Sequence, residues 1–405
     1  MAAAERFAGA PLPTTEEEVW RYSRVDELDL DRYQPSAAPS DRSTLHAPAA
    51  SNGSLTVDRP AAVVTVRDGQ VAGIHVDSIW ADRGLVVAPV AQTDGGESAL
   101  GSVLRDAPDA FAELNDAFAA DPVLVRVPRG LSVEAPVVVQ NSFSADGVAA
   151  FPRLVVQADE NSSVTVVDHY RSAEALIGLV VPVVELAAAR AGRLGYVGVQ
   201  ELGPHVWHIG TQVSDVGQEA SLVAGTAALG GEYARLRSDC RLSGRGGTGT
   251  LLAAYFGEGH QTLDFRTFQD HRAPDTTSNL LFKGAVGGHS RSVYTGLIRV
   301  RKNAHGTNAF QTNRNIKLSD HAWAESVPNL EIENNDVRCS HASAVGPIDA
   351  EQRFYLESRG IRPGLAERLV VSGFFDEVLS QLPAAGVVSQ VRDRIEAKLD
   401  RQEFG

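Results

Sequence analysis

Cysteine is scarce in this chain, with only Cys240 and Cys339 among 405 residues. Two thiols cannot build the disulfide framework of a small secreted protein, so the composition favours a reducing cytosol. The first residues have neither a basic head nor an apolar segment, so no secretory signal is predicted. Long apolar runs are also missing. The longest, residues 175–184, contains Pro182 and is far too short to span a bilayer.

Basic residues are outnumbered as well. The chain has 37 Lys and Arg against 51 Asp and Glu, a net charge of −14 and a pI near 5.3. This balance argues against nucleic acid or an anionic membrane as the main partner. The hydrophobic fraction of 43% suffices for a large core. The length allows two or three domains, or one elongated repeat domain.

From about residue 122 onward, short β-rich runs recur, and no convincing helix is predicted for over 200 residues. Glycine or asparagine pairs separate the runs, for example Gly230-Gly231, Gly287-Gly288 and Asn334-Asn335. Many short strands with punctuating turns are typical of a sandwich, a barrel or a β-solenoid. The length of this region favours the solenoid, although no crisp repeat motif is present.

The two ends of the chain carry helix signals. Near the front, Thr14 or Thr15 can cap a helix that contains Val19 and Trp20. Residues 33–54 are rich in Pro, Ser and Ala and are predicted to be a linker. A second helix is predicted over residues 108–118 from its apolar spacing.

After Gly346 the apolar spacing becomes helical. Asp349 can cap one helix that Gly360 ends, and Pro363 can open the next. Leu365 and Leu369 are predicted to begin the apolar stripe of that second helix. A last amphipathic helix has the apolar residues Val388, Val391, Ile395 and Leu399.

One of the two cysteines stands beside a histidine, in Cys339-Ser340-His341. On a strand, positions i and i+2 face the same side, so thiol and imidazole would point together. These two groups suit iron, zinc and iron–sulfur clusters. The alternative is a small buried hydrophobe and a satisfied core histidine near a strand end. No third ligand is evident nearby, because the Asn334-Asn335 turn interrupts the strand that carries Glu331.

Other polar motifs favour structural interpretations. Cys240 is predicted to lie in the core, and the glycine-rich run 244–249 is predicted to be a solenoid turn because it lacks the Gly-Lys-Ser/Thr ending of a phosphate loop. A cluster of acids and one histidine could be catalytic or metal-binding, but a polar turn explains it better. Its members are Asp264, Asp270, His271 and Asp275. The remaining histidines show no metal-ligand spacing.

A family resemblance emerges in the last third of the chain. The stretches that carry it are residues 278–284, 294–300, 309–315, and 328–332 continuing through 337–341 to 354–361. They resemble the SufB/SufD family, the cluster-assembly proteins of the SUF iron–sulfur system. A weaker likeness extends to the front at residues 18–22. SufD is the nearer match, because SufB-type chains have Glu-His-Glu-Ala where this chain has Cys339-Ser340-His341-Ala342. The following Ala342-Ser343-Ala344 departs from the usual SufD pattern Gly-Ala-Thr.

The resemblance implies a right-handed parallel β-helix flanked by N-terminal and C-terminal helical regions. The expected divisions are a mixed N-terminal region (1–121), the β-helix (122–346) and a C-terminal helical domain (347–405). The resemblance also implies a non-catalytic scaffold subunit. This subunit would pair with SufB through the end of the β-helix, or with a second copy of itself when alone. SufC ATPase would dock on the C-terminal helices, for which the candidate contacts are Phe354, Tyr355, Leu356 and Arg359.

Under this resemblance, His341 is the principal ligand of a transient iron or iron–sulfur cluster shared with SufB, and Cys339 assists. No tightly bound cofactor is expected on the isolated chain. A β-helix carbohydrate-active enzyme of the lyase type, using the acids between Asp264 and Asp275, is the alternative.

Overall fold

The computed structural model describes residue 7, residues 11–36 and residues 53–402. It is 45% strand and 19% helix, and the strands form a parallel β-solenoid of about eight turns. This confirms the predicted β-helix. In chain order the strands are β1 (Gln34–Pro35), β2 (Ala62–Arg67), β3 (Gln70–Val76), β4 (Val86–Pro89), β5 (Val123–Val127), β6 (Val137–Phe143), β7 (Val148–Ala150), β8 (Arg153–Ala158), β9 (Ser163–Ser172), β10 (Gly178–Val180), β11 (Val183–Ala188), β12 (Arg193–Glu201), β13 (Val206–Val216), β14 (Ser221–Ala228), β15 (Tyr233–Leu242), β16 (Thr248–Gly257), β17 (Thr262–His271), β18 (Thr277–Val286), β19 (Arg291–Val300), β20 (Thr307–Lys317), β21 (Trp323–Ile332) and β22 (Val337–Pro347).

The coils build two facing sheets. Sheet A runs in the order β21-β19-β17-β15-β13-β11-β8-β5-β4, and sheet B in the order β22-β20-β18-β16-β14-β12-β9-β6-β2-β3. Because side chains alternate along a strand, every second residue of both sheets points into the space between them. Aromatic rings fill part of that space. Phe282 lies edge-on to both Phe265 and Tyr294, with ring centroids 5.7 and 5.5 Å away.

The N-terminal region covers the outer face of sheet A. It contains short 3-10 turns at Glu18–Trp20, Val25–Glu27, Leu30–Arg32, Val90–Gln92 and Gly96–Ala99, and the helices α1 (Ser78–Ala81) and α2 (Ala110–Phe118). Trp20 packs on Phe111 of α2, with centroids 5.5 Å apart. The Arg235 guanidinium lies 3.9 Å from the Trp20 ring centroid and donates a 2.7 Å hydrogen bond to the carbonyl of Val19. These contacts fix the N-terminal region to the solenoid.

The C-terminal region forms α3 (Ala350–Glu357), α4 (Pro363–Leu379) and α5 (Ala385–Leu399). Asp349 caps α3 through its carboxylate, Gly360 follows that helix with φ of +87°, and Pro363 opens α4, as predicted. Helices α4 and α5 bury Phe375, Val391 and neighbouring apolar residues against the outer face of sheet B. Among the described residues, no helix combines the length and the apolar character needed to cross a membrane.

Two local predictions differ from the structure. The predicted N-terminal helix is a single 3-10 turn, because the Thr15 hydroxyl hydrogen-bonds to Asp26 at 2.5 Å and does not cap a helix. In α4, Leu365 and Leu369 are 49% and 46% exposed, so they do not begin the buried stripe. That helix presents one apolar face to sheet B and leaves these two leucines outside. Most of the predicted linker, residues 37–52, lies outside the described residues.

A buried carboxylate anchors the segment between β4 and α2. The side chain of Glu185 is fully buried and accepts hydrogen bonds from the backbone amides of Gly101, Val103 and Leu104 at 2.9–3.0 Å. Arg153 also donates to it, at 2.7 Å. Four donors therefore compensate one charge that water cannot reach, and this segment depends on that charge for its position.

We predict that Glu185→Ala lowers the free energy of unfolding by about 3–5 kcal/mol, because three backbone amides lose their buried acceptor and Arg153 loses its fully buried carboxylate partner while keeping Asp116. Urea unfolding followed by tryptophan fluorescence and circular dichroism measures the change. Glu160→Ala is the matched control. Its partner Arg129 is 76% exposed at 3.5 Å, so a change below about 1 kcal/mol is expected. Equal unfolding midpoints for the two variants would contradict the role assigned to Glu185.

Candidate functional site

Cys339 and His341 both lie on β22, the last strand of sheet B, so they share one face as predicted. In the ladder with β20, Cys339 stands opposite Ala309 and His341 opposite Gln311. Both of these partners are almost fully buried inside the solenoid. Cys339 and His341 therefore continue the inward-facing columns of the preceding coils. They sit at the end of the solenoid because, among the described residues, no further strand pairs with the outer edge of β22.

The Cys339 thiol is half-buried and packs against the apolar cluster of Ile298, Val300, Ala304 and Ala309. Burial raises the pKa of this thiol, and its hydrogen bond with the Ala309 backbone only partly opposes that shift. At neutral pH the group is therefore a thiol, which is a weaker nucleophile and metal ligand than a thiolate. His341 is exposed at the same end of the solenoid.

The nearby carboxylates do not complete a metal site. Glu331 lies at the end of β21 in sheet A, and Glu333 lies in the turn that follows. Both bind Arg299 at 3.3 Å, on the outer surface of sheet A. The turn at Asn334 separates them from β22, as predicted. Within the described part of the chain, no group of three or more His, Cys, Asp or Glu side chains is placed to hold a metal ion. Cys339 and His341 are thus at most half of a site.

The end of the solenoid that carries this pair is apolar and exposed. Leu330 and Ile332 of β21 and Val345 of β22 are 37–44% exposed, although inward-facing residues one coil earlier are buried. Sequence reasoning did not single these residues out, because their apolar spacing matches that of the covered strands. Only the strand register shows that they belong to the terminal coil.

Of the predicted partner-binding residues, Phe354, Tyr355 and Leu356 lie on α3, and Arg359 lies in the turn that follows it. Phe354 and Tyr355 are 71% and 55% exposed, Leu356 is half-buried, and the Arg359 guanidinium lies 4.5 Å from the Tyr355 ring centroid. These exposures exclude core packing of the two aromatic rings. Arg353 joins α3 to α4 through a 2.9 Å contact with Glu367.

The polar cluster between Asp264 and Asp275 does not form a catalytic pair. Asp264 is buried with Tyr233 and Arg235 on the side that faces the N-terminal region. Asp270 binds Arg272 and Arg301, and Asp275 binds Arg245. His271 points inward, where burial lowers its pKa to about 4. Each acid is neutralised separately, so no two carboxylates face a common substrate space.

The residues 140–374 match the family model described as the SufBD core domain of SUF-system Fe–S cluster assembly. The chain belongs to the SufBD family. It is 37% identical over 307 residues to the SufBD family protein Rv1462 of Mycobacterium tuberculosis, covering 74% of each chain. It is 26% identical over 402 residues to the SufD protein of Escherichia coli, covering 96% of this chain and 89% of that one. It is also 28% identical to the SufD protein of Bacillus subtilis, covering 67% of this chain and 63% of that one.

These likenesses identify a SufD-like subunit of iron–sulfur cluster assembly, as the sequence motifs predicted. The matched segment includes β22 and its Cys339 and His341. It also includes α3 and most of α4. The roles assigned to individual residues in this SufD-like chain remain predictions.

The two thiols of this SufD-like chain should differ in reactivity. Burial raises the pKa of Cys240 to about 12, and that side chain is 1% exposed. We predict that iodoacetamide modifies only Cys339 in the folded protein, and more slowly at neutral pH than a free cysteine peptide, because a raised pKa reduces the thiolate fraction.

Mass spectrometry after timed alkylation measures both sites, and Cys339→Ser provides the matched control with no native labelling. The labelling rate of Cys339 should continue to rise above pH 9. A plateau at or below the ordinary cysteine pKa of about 8.5, or native labelling of Cys240, would contradict the prediction.

Proposed function

We propose that this SufD-like chain is a non-catalytic scaffold that pairs with a SufB-like subunit through the open end of its solenoid. The observation that carries the proposal is the exposure of inward-facing residues on β21 and β22. One coil earlier, the inward-facing positions in register with these residues are buried. A partner chain that continued the stack would bury Leu330, Ile332 and Val345 in the same way.

Unpaired backbone edges support the same proposal. An uncovered strand edge with apolar side chains invites pairing with another chain. The edges of β21 and β22 lie side by side, so one partner could engage both sheets. Where no SufB-like subunit is present, a second copy of the chain is the competing occupant of this surface.

Pairing at this end would place the Cys339 and His341 half-site at the interface. We infer that the cargo is iron or a nascent iron–sulfur cluster, held jointly with ligands from the partner. Imidazole is a suitable ligand for iron, and metal binding to it is sensitive to protonation. His341 is the principal ligand in this proposal because its ring is exposed, whereas the half-buried Cys339 is held as a thiol.

The exposed apolar surface of α3 and α4 supports a second contact, with the SufC-like ATPase. Phe354, Leu365 and Leu369 lie outside the core on two helices that Arg353 and Glu367 tie together. The resulting complex would work in the cytoplasm, the compartment that the two free cysteines favour. The separately paired acids between Asp264 and Asp275 do not support the carbohydrate-active alternative.

The proposal is tested by co-expression with a SufB-like chain and a SufC-like ATPase, followed by purification through a tag on the SufB-like chain. We expect all three proteins to co-purify, and absence of this chain would refute the pairing.

His341→Ala should leave assembly unchanged but reduce the iron and sulfide bound after anaerobic reconstitution, because a ligand is removed. Ser340→Ala, one residue away on the opposite face of β22, is the matched control. Equal cluster yield in both variants would remove His341 from its role.

Docking of the ATPase is tested separately. Replacing Phe354 and Tyr355 together by alanine should weaken ATPase binding by roughly 30-fold, because the pair of aromatic anchors contributes on the order of 2 kcal/mol in total when the partner covers it. Surface plasmon resonance with immobilised ATPase measures the affinity. Ile79→Ala on α1, where the side chain is 63% exposed, is the control and should bind like the unaltered chain. Unchanged affinity in the double variant would exclude α3 from the docking surface.

A further inference from the structure

A cleft of about 1290 Å³ runs along one lateral edge of the solenoid, where the chain passes from sheet B to sheet A. Its floor consists of the turns that precede β13, β15, β17, β19 and β21. One wall comes from the N-terminal region, at Arg24 and Glu27. The other comes from α5 and the residues that follow it, at Arg394, Lys398 and Arg401.

Histidines occupy the same position in successive turns of this floor. The strand register aligns Trp207, Tyr233, Thr262, Arg291 and Trp323. The residues two positions before these form one column: His205, Gly231, His260, His289 and His321. Gly231 has φ of +87°, a conformation that favours glycine, and it separates His205 from the other three histidines.

The three consecutive imidazoles lie face to face. The His260 and His289 rings have centroids 5.0 Å apart and planes 8° from parallel. The His289 and His321 rings are 4.8 Å apart and 12° from parallel. This spacing is the distance between neighbouring strands of a sheet. The solenoid register therefore repeats one imidazole in every coil of this segment.

The ring nitrogens of these histidines are free donor atoms. All three side chains are exposed in the cleft. None of them makes a side-chain hydrogen bond or ion pair to a described residue, whereas the neighbouring carboxylates are engaged. Glu258 binds Lys398 and Arg401 at 2.9 Å, and Glu232 binds Arg24 at 3.1 Å. The histidine column thus offers nitrogen ligands, whereas Glu258 and Glu232 beside it are already paired with cations.

Neutral imidazoles are suitable ligands for zinc, copper, nickel and ferrous iron, whereas calcium and magnesium prefer oxygen ligands. We propose that His260, His289 and His321 bind a divalent first-row transition-metal ion between two successive imidazoles. Two imidazoles would bind the ion and water would complete its coordination shell, since no group of three or more His, Cys, Asp or Glu side chains is placed to hold a metal among the described residues. His289 is common to two overlapping sites, one with His260 and one with His321.

Binding requires the two rings to tilt out of their parallel stack, because each ring nitrogen binds a metal ion along a direction in its own ring plane. Metal–nitrogen distances of about 2.0–2.1 Å place two nitrogens of a tetrahedral shell about 3.4 Å apart. Parallel rings with centroids near 5 Å reach that separation when their ring nitrogens tilt toward each other. Exposed side chains reorient on the picosecond to nanosecond scale, so the sheet register itself need not change.

The column differs from the half-site at Cys339 and His341, and the proposal does not depend on cluster assembly. The test uses the full chain without a polyhistidine tag, in a Cys339→Ser, His341→Ala background that removes the other thiol–imidazole pair. Titration with Ni²⁺ is followed by isothermal calorimetry. We expect one bound ion per chain with the column intact.

The overlapping sites give a distinctive pattern of variants. His289→Ala should weaken Ni²⁺ binding by roughly 100-fold, because it removes the chelate from both sites. His260→Ala and His321→Ala should each weaken binding only about twofold, since one of two equivalent sites remains. The combination of His260→Ala with His321→Ala should behave like His289→Ala. His305→Ala, an exposed histidine outside the column, is the matched control.

Circular dichroism confirms folding, which surface substitutions at these exposed turns should preserve. Binding of Ni²⁺ that is unchanged in His289→Ala would overturn the proposal and leave the column as a structural stack of rings. Absence of binding in the parent chain, or an equal loss for all single variants including His305→Ala, would overturn it as well.

Discussion

The rest of this structure depends on parallel hydrogen bonding between successive coils. This bonding leaves an unpaired strand edge at each end of the solenoid, and the two edges are treated differently. At the first end, β3 pairs antiparallel with β2, and β4 pairs antiparallel with β5. The antiparallel strands β3 and β4 thus cover the first edge of sheet B and of sheet A, respectively. At the other end, the described residues provide no equivalent strand beyond β21 and β22. Edges that a monomer leaves uncovered favour pairing with another chain. Within the described residues, the solenoid therefore has one covered end and one uncovered end, and the uncovered end is formed by β21 and β22.

The outer faces of the solenoid are covered by regions that come from opposite ends of the sequence. Each is held by a buried charge as well as by apolar contacts. Arg235 joins sheet A to Trp20 of the N-terminal region, and Lys283 of sheet B donates a 2.9 Å hydrogen bond to the Phe374 carbonyl of α4. A buried cation is costly unless it is paired, so each cover must dock in one orientation to satisfy it. The lateral cleft exists because the two covers stop short of each other along one edge.

The sequence alone was sufficient to predict those elements whose ends carry capping or turn residues. The caps at Asp349 and Pro363 predict α3 and α4, and the glycine and asparagine turns between short strands favour a solenoid. The Cys339 and His341 pair could be found because both residues lie on one strand. The histidine column could not, because His260, His289 and His321 are 29 and 32 residues apart, and only the strand register shows that they are neighbours. The exposed leucines of α4 were misassigned because that helix is apolar on two faces, and spacing cannot tell which face is covered.

The interior near the open end is polar, which bears on how the terminal coil keeps its shape without a cover. The Tyr255 hydroxyl donates to Asn315 at 2.7 Å and accepts from Asn313 at 2.8 Å, and the Asn315 amide donates to Asn313 at 2.8 Å. These hydrogen bonds are directional, so they fix side chains in a way that apolar packing alone does not. Ser343 and Val345 extend the same columns from β22, and His341 extends the neighbouring column through Gln311. A partner that docks here would therefore meet the exposed polar side chains of His341 and Ser343 beside exposed apolar residues, above an interior layer fixed by hydrogen bonds, and this arrangement permits a specific contact.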